Sequence, residues 1–159
     1  MRITGSYTGT ATGDGSDTLT YVENVRGCAY GDVFDVASGA KAAYLSGNGG
    51  SDSFSILGSV FWLTGGDGND NFTVGSGAAI DYGIDGNSGN DTLNGSSGND
   101  TLSISTYGGD PGGDTINGVG GDDTIDGRDQ VSGSDTINGG DGLDSCQADP
   151  GDVILNCSP

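Results

Sequence analysis

The sequence predicts an all-β solenoid, short strands wound into stacked coils, and three observations carry that prediction. The first is a glycine-rich nonapeptide in fixed register: Gly86-Asn87-Ser88-Gly89-Asn90-Asp91-Thr92-Leu93-Asn94 is followed at once by Gly95-Ser96-Ser97-Gly98-Asn99-Asp100-Thr101-Leu102-Ser103. Both copies fit G-G-x-G-x-D-x-U-x with one glycine replaced, where U is a large apolar residue, and self-similarity at a fixed period marks a repeat architecture. The second is local chemistry. Glycine reaches positive φ without steric cost, so a glycine-rich turn lets several main-chain carbonyls point inward. Strand side chains alternate, so the lone U side chain faces a core. The third is that no stretch of the 159 residues shows helical periodicity. A flexible glycine linker would not keep an aspartate and an apolar residue locked in step through many copies.

These nonapeptides resemble the RTX, or hemolysin-type, calcium-binding repeat family. The resemblance implies a right-handed parallel β-roll, a β-solenoid with calcium-binding turns, in which two nonapeptides complete one coil. It also implies that Ca²⁺ sits between like turns of adjacent coils, held by aspartate carboxylates and backbone carbonyls. The residue types agree, because carbonyl and carboxylate oxygens suit a hard cation such as Ca²⁺.

Composition points the same way. The chain has 22 Asp but one Glu, Glu23. A generic solubilising surface would use both residues, so short carboxylates are expected in turns. With 34 Gly, 31% hydrophobic residues and a formal charge of -19, the metal-free chain should repel itself and approach the disordered class. Folding is therefore expected to need the ion. No apolar run approaches 18 residues and no basic stretch is present, which argues against membrane insertion, a nucleic-acid partner and an anionic membrane surface.

Taken in order, Met1 opens without a charged and apolar leader, so no signal peptide is expected in this sequence. Thr12 to Thr20 reads as the first repeat turn, and Gly31-Asp32-Val33-Phe34 as a repeat whose glycine arm has eroded. Repeat turns at 47–55 and 65–73 then alternate with apolar segments around Tyr44-Leu45, Val60-Phe61-Trp62-Leu63 and Ala78 to Ile84. Trp62, Phe61 and Tyr82 read as packing residues, with a ligand-binding patch as the alternative. Beyond Gly86 repeats follow on both edges, at Gly109 to Asn117, Gly118 to Asp126, Gln130 to Asn138 and Gly139 to Gln147. One solenoid domain is expected: degenerate coils over 1–85, tandem repeats over 86–147 and a C-terminal cap over 148–159.

The turn aspartates fall into two unequal ladders of candidate metal ligands. Asp17, Asp32, Asp52, Asp70, Asp91, Asp114 and Asp135 place one carboxylate per coil along one edge; Asp100, Asp123 and Asp144 line the other. Sites between successive rungs would number about eight, and about +16 of calcium charge would offset most of the formal -19. The N-terminal half, with apolar strands in place of a second ladder, should be stiffer and less calcium-dependent.

Three cysteines leave one over in an oxidising compartment. Cys146 and Cys157 bracket the turn signal Asp149-Pro150-Gly151-Asp152, and a disulfide there would clip the last strand over the open end. Cys28 would lie roughly 25 Å from them at one coil per ~4.8 Å, so it is expected either free or cross-linked between subunits.

Catalysis finds little support. The chain has no His and four Lys or Arg, namely Arg2, Arg26, Lys41 and Arg128, and the repeat accounts for its well-placed aspartates. A secreted or cell-surface, non-enzymatic structural protein is therefore expected, a head-to-tail homo-polymer forming an extracellular fibre or surface layer. A polysaccharide-binding module and an ice-binding solenoid, the latter suggested by Thr92/Asn94, Thr115/Asn117 and Thr136/Asn138, are the alternatives.

Overall fold

The computed structural model describes residues 24–104, 112–131 and 134–158, with the backbone alone of three short N-terminal strands and of residues 81–82. The strands are β1 (Arg2–Ile3), β2 (Thr10–Thr12), β3 (Thr18–Leu19), β4 (Asn24–Arg26), β5 (Val33–Val36), β6 (Lys41–Gly49), β7 (Ser53–Ile56), β8 (Ser59–Asp67) and β9 (Asn71–Val74). They continue as β10 (Ala79–Ser88), β11 (Thr92–Asn94), β12 (Thr101–Ser103), β13 (Thr115–Asn117), β14 (Thr124–Asp126), β15 (Thr136–Asn138), β16 (Ser145–Gln147) and β17 (Val153–Leu155). No helix occurs among the described residues.

Every strand pairing is parallel, and partners belong to neighbouring coils, as a β-solenoid requires. One flank is a nine-stranded sheet in the order β17-β15-β13-β11-β9-β7-β5-β1-β3; the other carries β10-β8-β6-β4-β2 and then β12-β14-β16, with β12 packed against β10. The repeat's U positions coincide in register: Phe34, Phe54, Phe72, Leu93, Ile116, Ile137 and Ile154 form one column. Val25, Leu45, Leu63 and Ile84 form a second column, and Leu102, Ile125 and Cys146 a third. Columns made of one residue type per coil let rings stack at the strand spacing of ~4.7–4.9 Å. The Phe34–Phe54 and Phe54–Phe72 centroids lie 4.7 Å apart with nearly parallel planes.

The two halves bury different amounts of apolar surface. The four-residue strands β5, β7 and β9 each bury two inward residues, as in Phe54 with Ile56, whereas β11, β13 and β15 each bury one. Opposite the former lie the nine- and ten-residue strands β6, β8 and β10, which run on into the glycine arm of the next turn.

The N-terminal coil departs from the expected order. Thr18–Leu19 does not lie beside Val33–Val36; Arg2–Ile3 is inserted between them, pairing Arg2 with both Thr18 and Asp35. Fifteen residues separate Asp17 from Asp32, against 18 to 23 for the steps from Asp32 to Asp135. That interval is the shortest of the series, yet it still carries one circuit through β4 on the opposite flank. Asp17 itself lies outside the described residues.

Candidate metal centre

Each turn delivers its aspartate just before a strand, and parallel stacking sets the aspartates one above another. The backbone N–H of Asp32 donates to Oδ1 of Asp52 at 2.6 Å, that of Asp52 to Asp70 and of Asp70 to Asp91 at 2.7 Å. The N–H of Asp91 donates to Asp114 at 2.8 Å and that of Asp114 to Asp135 at 2.9 Å. On the opposite flank the N–H of Asp100 donates to Asp123, and that of Asp123 to Asp144, each at 2.8 Å. Nine of the ten aspartates singled out in the sequence are thus gathered into two columns.

The structure adds a rung. Oδ1 of Asp152 accepts the N–H of Asp135 at 3.3 Å and Oδ2 accepts that of Asp149 at 2.8 Å. Asp152-Val153-Ile154 keeps the aspartate-to-apolar spacing, but Asp149-Pro150-Gly151 replaces the glycine arm and hides it. A second rank laces the turns in the reverse direction. The N–H of Asn90 donates to Asn69 Oδ1 at 3.0 Å, that of Gly113 to Asn90 at 3.1 Å and that of Asp122 to Asn99 at 2.9 Å. The recurring Asn before the repeat aspartate was the available signal.

The second carboxylate oxygen decides the chemistry. Oδ2 of Asp52, Asp70, Asp91, Asp114, Asp123, Asp135 and Asp144 is buried without a hydrogen-bond partner. At Asp32 and Asp100, the first described rung of each column, Oδ2 instead accepts an N–H of its own turn, from Cys28 and Ser96, at 2.7 Å. Asp52 Oδ2 lies over the first glycine of its turn, Gly47, and a β-carbon there would meet both that oxygen and the Gly65 carbonyl oxygen, the latter at 2.6 Å. The same pair, own-turn carboxylate and next-coil carbonyl, converges over Gly27, Gly65, Gly95 and Gly118. Gly27 therefore preserves the first position of the turn whose glycine arm reads as eroded.

Magnitudes show that these oxygens need a partner. A buried unsatisfied polar group costs roughly 1–3 kcal/mol, more if charged. Seven such groups come to roughly 7–21 kcal/mol, as much as the ~5–15 kcal/mol that holds a domain folded. Without a cation the remedy is a proton: burial pushes Asp52 and Asp91 up to about 6 and Asp114 up to about 7, with backbone N–H bonds opposing and neighbouring aspartates adding to the shift. Asp70, Asp123 and Asp135 are raised for the same leading reason. Asp85, on β10 and also buried and raised, is a further acidic residue the repeat pattern does not mark.

The donor set around these turns is carboxylate and carbonyl oxygen, which fits a hard cation of Ca²⁺ type. Among the described residues no three Asp, Glu, Cys or His side chains close into a cage. Carbonyl ligands from the glycine arms are therefore required, as the turn geometry allows. Bound Ca²⁺ would supply positive charge to the orphaned oxygens; the aspartate columns and first-glycine carbonyls would hold it.

Comparison with known families agrees with this reading. The family of the RTX calcium-binding nonapeptide repeat matches in four copies, at residues 62–79, 84–103, 108–130 and 132–155, together just over half of the chain. Neither the curated proteins nor the solved structures give a match. With parallel coils, aspartate columns and four matched repeats, the chain belongs to the RTX calcium-binding nonapeptide repeat family.

Proposed function

We propose that this calcium-binding repeat protein is a secreted, non-enzymatic structural element, folded by external calcium and assembling end to end. The observation that carries the calcium dependence is the set of seven buried, partnerless carboxylate oxygens. Six gaps between Asp32 and Asp152 and two between Asp100 and Asp144 would take about eight ions. Millimolar external calcium would fill them, whereas a submicromolar cytosolic level would leave sensor-grade sites empty. The Cys146–Cys157 disulfide, with Cα atoms 5.9 Å apart, fits an oxidising compartment.

The C-terminal end supports assembly. Strand β17 is the sheet's edge, and Val153, Ile154 and Leu155 are all about half exposed. Ile154 continues a column in which Ile137 is fully buried, so another coil added here would bury it. A head-to-tail contact between unlike ends does not close and builds a filament. Cys28 is a free thiol in this chain, on the turn leading to β5, with β1 and β3 lying beyond β5 in the sheet. Size-exclusion chromatography with calcium and without reductant tests the assembly. Concentration-dependent oligomers and filaments by negative stain are expected; a strictly monomeric peak with no filaments overturns it.

One observation favours glycan binding as a second reading. Phe61 is half exposed on β8 next in sequence to Trp62, which pairs edge-to-face with Tyr44 at 6.4 Å, and Arg26 lies 5.8 Å from the Tyr44 centroid. Retention of the protein on immobilised polysaccharide would decide for it.

A further inference from the structure

Asp129 stands outside both ladders. It belongs to the three-residue insertion before the turn of Asp135, is fully buried, and its Oδ2 has no hydrogen-bond partner. Its Oδ1 is committed to the N–H of Val131 at 2.8 Å. Asp149 reaches back from the following coil, its Oδ2 accepting the N–H groups of Asp129 at 2.9 Å and Gln130 at 2.8 Å. The Asp149 carboxylate therefore lies against the loop that carries Asp129, across adjacent coils, in the neighbourhood of the unpartnered Asp129 Oδ2. Asp114 and Asp135 add negative field from the ladder side, and Asp152 fixes the loop of Asp149 by accepting its N–H. The nearby Arg128 does not fill the gap; its guanidinium is tied to Asp126 at 2.7 Å.

The arrangement differs from a repeat turn at each point that matters. The place of the first glycine is taken by Gln130, at φ 71°, and the second carboxylate comes from an Asp-Pro-Gly turn. We propose that Asp129 and Asp149 form a separate cation site at the C-terminal end of the aspartate column, taking a hard divalent ion such as Ca²⁺ with main-chain carbonyls. The proposal rests on the calcium reading of the repeats and extends it to a pair that does not occupy the aspartate position of a repeat turn. Its role is to join the insertion loop to the last coil, so that this end is closed by a metal tie beside the disulfide.

Anomalous scattering from crystals of the whole protein grown in CaCl₂ tests the site without mutation. Peaks between the ladder turns and a further peak between Asp129 and Asp149 are expected. Ladder peaks with none at Asp129 and Asp149 overturn this site and leave the repeat reading intact; no peaks anywhere overturn the repeat reading itself. Calcium counting by native mass spectrometry gives the second arm. Asp129→Asn and Asp149→Asn should each lose one equivalent, and an unchanged count in a folded variant of either overturns the proposal.

Discussion

At the scale of single residues, the turn tolerates few side chains, and the exceptions show where conformational energy is stored. The second position of the repeat is left-handed: Gly66 and Gly140 sit at φ 120° and 100°, and Asn48 and Asn87, which adopt this region more readily than most residues, at 73° and 72°. Val119 occupies the same position at φ 81° while half exposed. A β-branched residue held there costs on the order of 1–3 kcal/mol, and its exposed side chain contributes little packing in return. Val119→Gly is therefore expected to raise the melting temperature in saturating calcium; an equal or lower value counts against the strained turn. The ladder aspartates make a pH prediction of known sign. Asp52, Asp91 and Asp114 are raised from the ordinary 3.8 to between about 6 and 7 in the metal-free fold. Between those values the folded chain binds more protons than the unfolded one, so stability falls as pH rises through that window. In EGTA, circular dichroism should show structure gained on acidification from pH 7.5 towards 4.5, and calcium should abolish most of that dependence. A calcium-free chain most stable at neutral pH contradicts the burial of these carboxylates.

At the scale of strands and turns, the fold follows from a pattern of nine residues wherever the pattern is intact. Asp91-Thr92-Leu93 and Asp114-Thr115-Ile116 are readable as turn, outward and core positions, and the structure stacks them so. What escaped the pattern has physical reasons. Asp152 lacks the glycine arm, and Asp85 and Asp129 lie outside the repeat turns; burial and tertiary neighbours, not local spacing, give them their character. The insertion of Arg2–Ile3 between β3 and β5 is a long-range pairing that a short N-terminal interval only hinted at. The alternation of Thr and Asn on β11, β13 and β15 has a structural use, since Asn117 donates to Asn94 and Asn156 to Asn138 at 2.9 Å. Those amides are engaged with one another, and the rank breaks at Ser53, Ser55 and Asn71, which limits a flat ice-facing lattice to three coils. The phenylalanine stack is the element most sensitive to truncation. Phe54 is clasped between Phe34 and Phe72 and fully buried, so Phe54→Ala should cost about 3–5 kcal/mol. Chemical unfolding in saturating calcium measures it; a loss below ~1.5 kcal/mol would mean that neighbouring coils collapse into the cavity.

At the scale of the whole molecule, the two halves rely on different forces. Around β5, β7 and β9 each coil buries an aromatic and an aliphatic residue, faces a nine- or ten-residue strand, and carries an aspartate on one flank. From β11 to β16 the strands are three residues long, each places one side chain inward, and aspartates line both flanks. On the calcium reading, chelation takes the cation from ladder turns in both halves, but it leaves the first half a larger apolar core and the second half a denser array of uncompensated buried carboxylates. A solenoid coil contacts chiefly its neighbours, so loss of cooperativity between halves is allowed where the balance of terms changes. Hydrogen exchange after EGTA addition should therefore show the amides of Thr92–Asn94, Thr101–Ser103, Thr115–Asn117, Thr124–Asp126 and Thr136–Asn138 opening first. Those of Ser53–Ile56, Ser59–Asp67 and Asn71–Val74 should follow at lower residual calcium. The Cys146–Cys157 bond holds the last turn to β16 during this opening, and reduction should widen the interval between the two phases by freeing that end. Exchange of both halves in one step, at one calcium concentration, would refute unequal dependence and make the entire rod a single cooperative unit.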